Sequence, residues 1–190
     1  MIEKKRKTKE TNILIQLKTK KEDMLVPKLK VGVPFFEHML NALLFYAKLE
    51  MHIYCEGDLD VDAHHSLEDI GIVLGDVIQS YYGEINKFKR FSSCYAPMDE
   101  TLVRTVLDIS GRPYFQIEGI DLYALTSLEQ SLLEFLRALA INAKLTVHVD
   151  VIRGFNRHHI FEAIFKSFGM CLYESMVMSD EMMSTKGSIG

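Results

Sequence analysis

The octapeptides HHSLEDIG (His64–Gly71) and HHIFEAIF (His158–Phe165) share an HHxxE pattern followed by apolar residues. The likeness extends upstream. HMLNALLFYAKLEMHIY from His38 aligns without gaps to EFLRALAINAKLTVHVD from Glu134. Ala42, Leu43, Ala47, Lys48, Leu49 and His52 match Ala138, Leu139, Ala143, Lys144, Leu145 and His148. His38 lies 26 residues before His64, and Glu134 lies 24 before His158, a difference that one connecting turn absorbs. The chain is therefore written twice, and a repeat of this kind dictates the architecture.

Each copy has helical apolar spacing, over Leu40–Ala47 and Leu132–Ile141. LEMHIYCEG and LTVHVDVIRG then alternate as strands do and end at glycine. A second helix follows each HHxxE. TNILIQLK and TLVRTVLDIS read as opening strands, with KLKVGV and YFQIEG as second strands. Each half thus reads β-β-α-β-α. The expected fold class is α+β, an internal duplication of two sheet-plus-helix halves packed together. The expected halves are residues 1–92 and 93–190, forming one compact catalytic unit with its seam near KFKRFSSCYAPMDE.

Bulk properties narrow the function. Of 190 residues 48% are apolar, enough for a substantial core, and the net charge of −4 argues against a dedicated nucleic-acid binder. The basic start, KKRKTKE, reads as a solvated tail. Three cysteines without a CxxC suit neither a disulfide framework nor a thiolate metal site, and fit a reducing, cytoplasmic setting. No apolar run approaches the roughly 20 residues needed to span a bilayer. Neither a nucleic acid nor a membrane is an expected partner.

The chemistry lies in HHxxE. Residues on a helix turn by about 100° each, so His64 and His65 diverge while Glu68 falls about 40° from His64. His64 and Glu68 share a face and can serve one ion, and His65 points elsewhere. Adjacent imidazoles are poorly placed for one metal and well placed for two. The repeat supplies His64, His65, Glu68, His158, His159 and Glu162, and the equivalent positions His38 and Glu134 add one donor each. These eight N and O donors can fill four positions around each of two ions. Imidazole with carboxylate and no thiolate suits Mn²⁺, Fe²⁺ or Zn²⁺, and Mn²⁺ best if coordination approaches six. His52 and His148 repeat within strand patterns and are read as structural.

Arg90, Arg112 and Lys186 are candidates for holding an anion. Arg112 stands at the SGRPY turn, and its planar fork suits phosphate. Arg90, in KFKR, also fits an exposed basic loop. Ser184, Thr185 and Lys186 lie in MSTKGSIG, which reads equally as a frayed tail. Asp99 and Glu100 could back ligand histidines or form a solvated turn.

The ordered set KTKET, FFEHML, GDLDVDAHHSLEDIGIVLG, PMDETLVRTVLDISGRPY, NRHHIFEAIFKSF and STKG resembles the imidazoleglycerol-phosphate dehydratase family of histidine biosynthesis, over about Lys7 to Gly187. The resemblance implies half-folds like domain 2 of ribosomal protein S5. It implies two Mn²⁺ per active site, held by His38 and both HHxxE units. It points to Arg90, Arg112, Ser184 and Lys186 for the substrate phosphate, with Thr185 beside them, and to Glu10 as a substrate contact. It also implies a homo-oligomer of twenty-four subunits with octahedral symmetry, built from trimers, with active sites formed between chains. The chain departs from the family where Glu134 replaces a histidine ligand, where Ala63 replaces an acidic residue, and where Glu37 stands for aspartate.

The reaction implied is dehydration of imidazole glycerol phosphate to imidazole acetol phosphate. An imidazolate bridging two ions could expel the adjacent hydroxyl, and loss of the next C–H proton would give an enol and then the ketone. Glu162 and Glu10 are the expected proton-transfer groups. Two other classes compete: a dinuclear hydrolase of a phosphorylated small molecule, and a catalytically silent metal-binding shell protein.

Overall fold

The computed structural model describes residues 1–23, 25–60, 62–85 and 87–179. The first half runs β1 (Ile2–Lys7), β2 (Thr11–Leu17), β3 (Lys28–Lys30), α1 (Pro34–Ala47), β4 (Met51–Gly57) and α2 (His64–Glu84). The second runs β5 (Phe91–Met98), β6 (Thr101–Asp108), β7 (Tyr114–Glu118), α3 (Ser127–Asn142), β8 (Thr146–Arg153) and α4 (Arg157–Met176), with a single 3₁₀ turn at Leu122–Ala124. The two sheets have the same order, β1-β2-β4-β3 and β5-β6-β8-β7, each antiparallel except for the parallel last pair. The α+β duplication expected from the repeat is present.

Each half carries one more strand than the pattern suggests. The basic start is not a tail. It is β1, paired antiparallel to β2 from Ile2↔Leu17 to Lys7↔Asn12. Ile2 is buried and the lysines lie along the outermost strand, where charge discourages further edge pairing. Its counterpart β5 occupies the stretch that reads as a seam, and the second sheet opens at Phe91.

Alternation gives each sheet one apolar face. Ile13, Ile15 and Leu17 of β2, Met51 and Ile53 of β4, Val103 and Leu107 of β6, and Val147, Val149 and Val151 of β8 are all buried. The helices cover these faces crosswise. Each half's second helix lies on its own sheet, α2 on β1 and β2, α4 on β5 and β6. Each first helix instead packs on the other half's second helix, α1 on α4 and α3 on α2. Phe36 of α1, Phe135 of α3 and Phe165 of α4 interlock at the centre, with ring centroids 4.9 and 5.7 Å apart.

Two repeat-equivalent glycines permit this crossing. A Cβ at Gly75 would stand 2.7 Å from Asn142 Cβ and 2.8 Å from the Leu139 carbonyl oxygen of α3. A Cβ at Gly169 would collide with the Leu43 carbonyl oxygen of α1. The obstacle is backbone, which cannot swing aside. Gly169→Val is therefore expected to cost about 3 kcal/mol or more, read as a lowered denaturation midpoint.

The shared AKL triplet also has a structural cause. Lys48 and Lys144 both adopt φ of 53°, and the following leucine N–H groups reach back to Leu44 O and Ala140 O at 3.0 and 2.8 Å. Each first helix thus ends in the same left-handed turn, which reverses the chain into the next strand.

Candidate metal centre and active site

The HHxxE units sit in the first turns of α2 and α4, at one end of their sheets. A side-chain cap holds the start of α4, and a local turn bond holds that of α2. Asn156 Oδ1 accepts from the His158 and His159 N–H groups, and Asp62 Oδ1 accepts from His64 N–H. The paired rings diverge as helical geometry requires, with interplanar angles of 73° for His64 and His65 and 90° for His158 and His159.

Because α1 lies on α4, His38 meets the second HHxxE. Glu162 Oε2 is 3.3 Å from His38 Nε2 and 3.1 Å from His158 Nε2, while Oε1 receives Lys166 Nζ at 2.6 Å. Burial pushes the Glu162 carboxyl up, but Lys166 and the two imidazoles outweigh it, and the net shift is downward. Two imidazole nitrogens and a carboxylate oxygen, one from the first half and two from the second, thus converge within 4.8 Å of one another. That donor set fits a borderline divalent ion such as Mn²⁺, Fe²⁺ or Zn²⁺.

The crosswise counterpart, α3 on α2, brings Glu134 and His64 to one cavity of about 430 Å³, lined also by Phe115, Ile117 and Leu133. His64 Nε2 is 3.5 Å from Glu68 Oε2. Glu134 does not close on that pair. Its Oε2 accepts from Arg137, with Nε at 2.7 Å.

The second histidine of each pair is gripped from behind. His159 Nδ1 is 2.8 Å from Glu100 Oε2, and His65 Nδ1 is 3.3 Å from Asp58 Oδ2. The Nε2 of each ring faces away from the carboxylate on its Nδ1, and that of His159 lies 3.8 Å from the exposed Asp99 Oδ2. Glu100 also accepts from the N–H groups of Phe155 and Asn156. The His159 bond and then the Asn156 N–H hold its carboxyl down at about 2, so it is a fixed anion. Glu10 is 3.7 Å from His65 Nδ1 and half exposed. Bonding to Asp58, then the charge of Glu10, raises the His65 pKa.

Glu10 and Glu100 are repeat equivalents, each preceding the threonine that opens β2 or β6. The signal was the shared Glu-Thr pair in KET and DET. In the second half this glutamate locks its histidine. In the first half Asp58 makes the shorter contact, and Glu10, Asp58 and His65 bring their donor atoms within 4.8 Å of one another. Asp58 had no periodic signal of its own, since it lies in the loop after β4.

The predicted anion-binding residues lie elsewhere. Arg90 N donates to Ser175 O near the C-terminal end of α4. Ser175 lies seventeen positions beyond His158 on α4, about 26 Å along the axis. The Arg90 side chain forms two bonds to Asp108, of 2.7 and 3.2 Å. Arg112 occupies the β6–β7 turn beside Ser110, also at the end of β6 remote from Glu100. Ser184, Thr185 and Lys186 lie outside the described residues.

A sequence model of imidazoleglycerol-phosphate dehydratase matches residues 31–172, which include His38, Glu134 and both HHxxE units but neither Glu10 nor Ser184, Thr185 and Lys186. The chain belongs to the imidazoleglycerol-phosphate dehydratase family. A family relative from an Exiguobacterium species is 44% identical, covering 97% of this chain and 96% of the relative. Another, from Acetivibrio thermocellus, is 41% identical with the same coverage. Both carry the name of the dehydratase, a hydro-lyase. The crystal structure of the Staphylococcus aureus dehydratase superposes with a TM-score of 0.78 at 36% identity, covering 94% of this chain and 100% of that one. The Pyrococcus furiosus dehydratase structure gives 0.83 at 35% identity, covering 98% and 100%. Among the described residues no helix is long and apolar enough to cross a membrane.

The approach to the His158 pair is braced by Arg157, whose Nε and Nη2 each bond Glu129 at 3.0 Å. Glu129 also completes a capping box with Thr126 at the start of α3. The Arg157 bond is the main cause of its lowered pKa. A carboxyl depressed by folding adds stability above its ordinary titration range, and that stability is lost as pH falls through the folded pKa. Glu129→Gln is expected to remove this acid-side dependence and about 1–2 kcal/mol of stability at neutral pH, measured by denaturant melts from pH 3 to 7.

Proposed function

We propose that this protein dehydrates imidazole glycerol phosphate to imidazole acetol phosphate in L-histidine biosynthesis, with two Mn²⁺ per active site. The observation that carries the reading is the meeting of His38, His158 and Glu162 from opposite halves of a chain of this family. His38, His158 and Glu162 would hold one ion. His64, Glu68 and Glu134 would hold the other. Divalent ions held by these residues would supply the positive charge that favours the imidazolate form of a substrate ring.

The remaining ligands support assembly. His65 and His159 are turned away from their own HHxxE carboxylates and held from behind. Each can complete a neighbour's three-donor set, which gives every ion four protein donors. This supports a homo-oligomer, proposed as twenty-four subunits in octahedral symmetry built from trimers, with the active site between chains. The distance of Arg90 and Arg112 from the His38 cluster supports the same arrangement, because a neighbouring chain can bring them to the substrate phosphate. Ser184, Thr185 and Lys186 would join them there. A cytoplasmic location suits such a pathway enzyme.

Glu162 and Glu10 then divide the proton transfers at the substrate carbon and the departing hydroxyl. Glu162 stands within the donor cluster, and Glu10 approaches from the β1–β2 turn beside His65. The phosphate contacts would anchor the far end of the substrate, so that binding energy orients the diol. The test is product analysis after adding imidazole glycerol phosphate to the Mn²⁺-loaded protein. Imidazole acetol phosphate should accumulate with no release of inorganic phosphate. Phosphate release would indicate a hydrolase, and metal binding without turnover would indicate a silent shell protein.

A further inference from the structure

The internal repeat sets His38 opposite Glu134, and it also sets Asn41 opposite Arg137, three residues further along each helix. Where the ligand position is a neutral imidazole, its neighbour on the same helical face is a neutral amide. Where the ligand position is a carboxylate, that neighbour is a guanidinium. The two differences cancel in charge. They also meet in space: Nε and Nη2 of Arg137 both donate to Oε2 of Glu134, Nε at 2.7 Å. Both bonds converge on one oxygen, so Oε1 lies outside the fork. Glu134, Arg137 and His64 line the same cavity.

We propose that Arg137 is a positioning residue that lets Glu134 stand in for a histidine at the second metal site. It fixes one carboxylate oxygen, leaves the other for the ion, and cancels the negative charge that the carboxylate brings. The inference rests on the reading of Glu134 as a metal donor. An ordinary exposed i, i+3 ion pair would contribute little, and its loss would add independently to any change at Glu134. A compensated ligand behaves differently. Restoring imidazole while Arg137 remains leaves an uncancelled cation facing the metal, so the guanidinium becomes harmful.

The test is Mn²⁺ affinity, measured by equilibrium dialysis on chelator-stripped full-length protein, with thermal melts in chelator as a control for folding. Variants are E134A, E134H and the double variant E134H/R137N, which copies the pair found in the first half. E134A should weaken one class of sites about tenfold or more, as expected for a lost donor. E134H should also weaken that class about tenfold, and E134H/R137N should return to within about threefold of the unaltered protein. A double variant no tighter than E134H would overturn the proposal, as would E134H binding unchanged while E134A is weakened. E134A binding as tightly as the unaltered protein would instead remove Glu134 from the site and refute the donor reading itself.

Discussion

Glu162→Gln is expected to lower turnover by about 10³–10⁴-fold, the scale of a lost general acid–base group, and to weaken Mn²⁺ binding as well. The glutamine keeps the volume of a side chain that is 11% exposed, so the fold should persist. Its amide cannot satisfy His38 Nε2, His158 Nε2 and a metal as the carboxylate does, and Lys166 loses its anionic partner. Activity and bound Mn²⁺ should therefore fall together, measured by steady-state kinetics and metal analysis on the same sample. Near-normal turnover with metals retained would exclude a catalytic role for Glu162.

Glu10→Gln should separate the two effects. Glu10 is half exposed, borne on a turn, and grouped with Asp58 and His65 rather than with the His38 cluster. Its removal should leave Mn²⁺ affinity and particle size within about twofold, while kcat falls by about 10²–10³-fold. Loss of metal equal to that of Glu162→Gln would instead make Glu10 a ligand or a structural support. The contrast between the two variants follows from the first half's use of Asp58, rather than Glu10, to hold its histidine.

Much of this was legible in the sequence, for identifiable reasons. HHxxE repeats at the same place in both halves, the first turn of the second helix, and AKL repeats because both first helices end in the same left-handed turn. The divergence of adjacent imidazoles follows from helical rotation alone. Strands β1 and β5 were hidden by different causes. The lysines of β1 mimic a solvated tail, and Pro97 lies inside β5, which looks like a linker. A repeat states which residues are equivalent, but not which copies touch. The crosswise packing of α1 on α4 and α3 on α2 is a tertiary choice made possible by Gly75 and Gly169. That choice decides which HHxxE receives His38. Of the carboxylates behind the histidines, Glu100 has two alternative readings in the sequence, and its 2.8 Å contact with His159 decides between them; Asp58 sits in a loop, where no periodicity reports burial or direction. Arg90 and Arg112 carried a chemical signal without an address, and only the fold sets Arg90 beside Ser175, about 26 Å along α4 from His158, and Arg112 beyond the end of β6 remote from Glu100.

A duplicated clamp should hold two ions for each chain. The direct measurement is Mn²⁺ content per chain after stripping with chelator, saturating with Mn²⁺ and removing free ion, determined by elemental analysis against protein concentration. Two ions per chain are predicted, falling towards one in E134A, which spares the His38 cluster. One ion per chain in the unaltered protein would contradict the duplicated clamp.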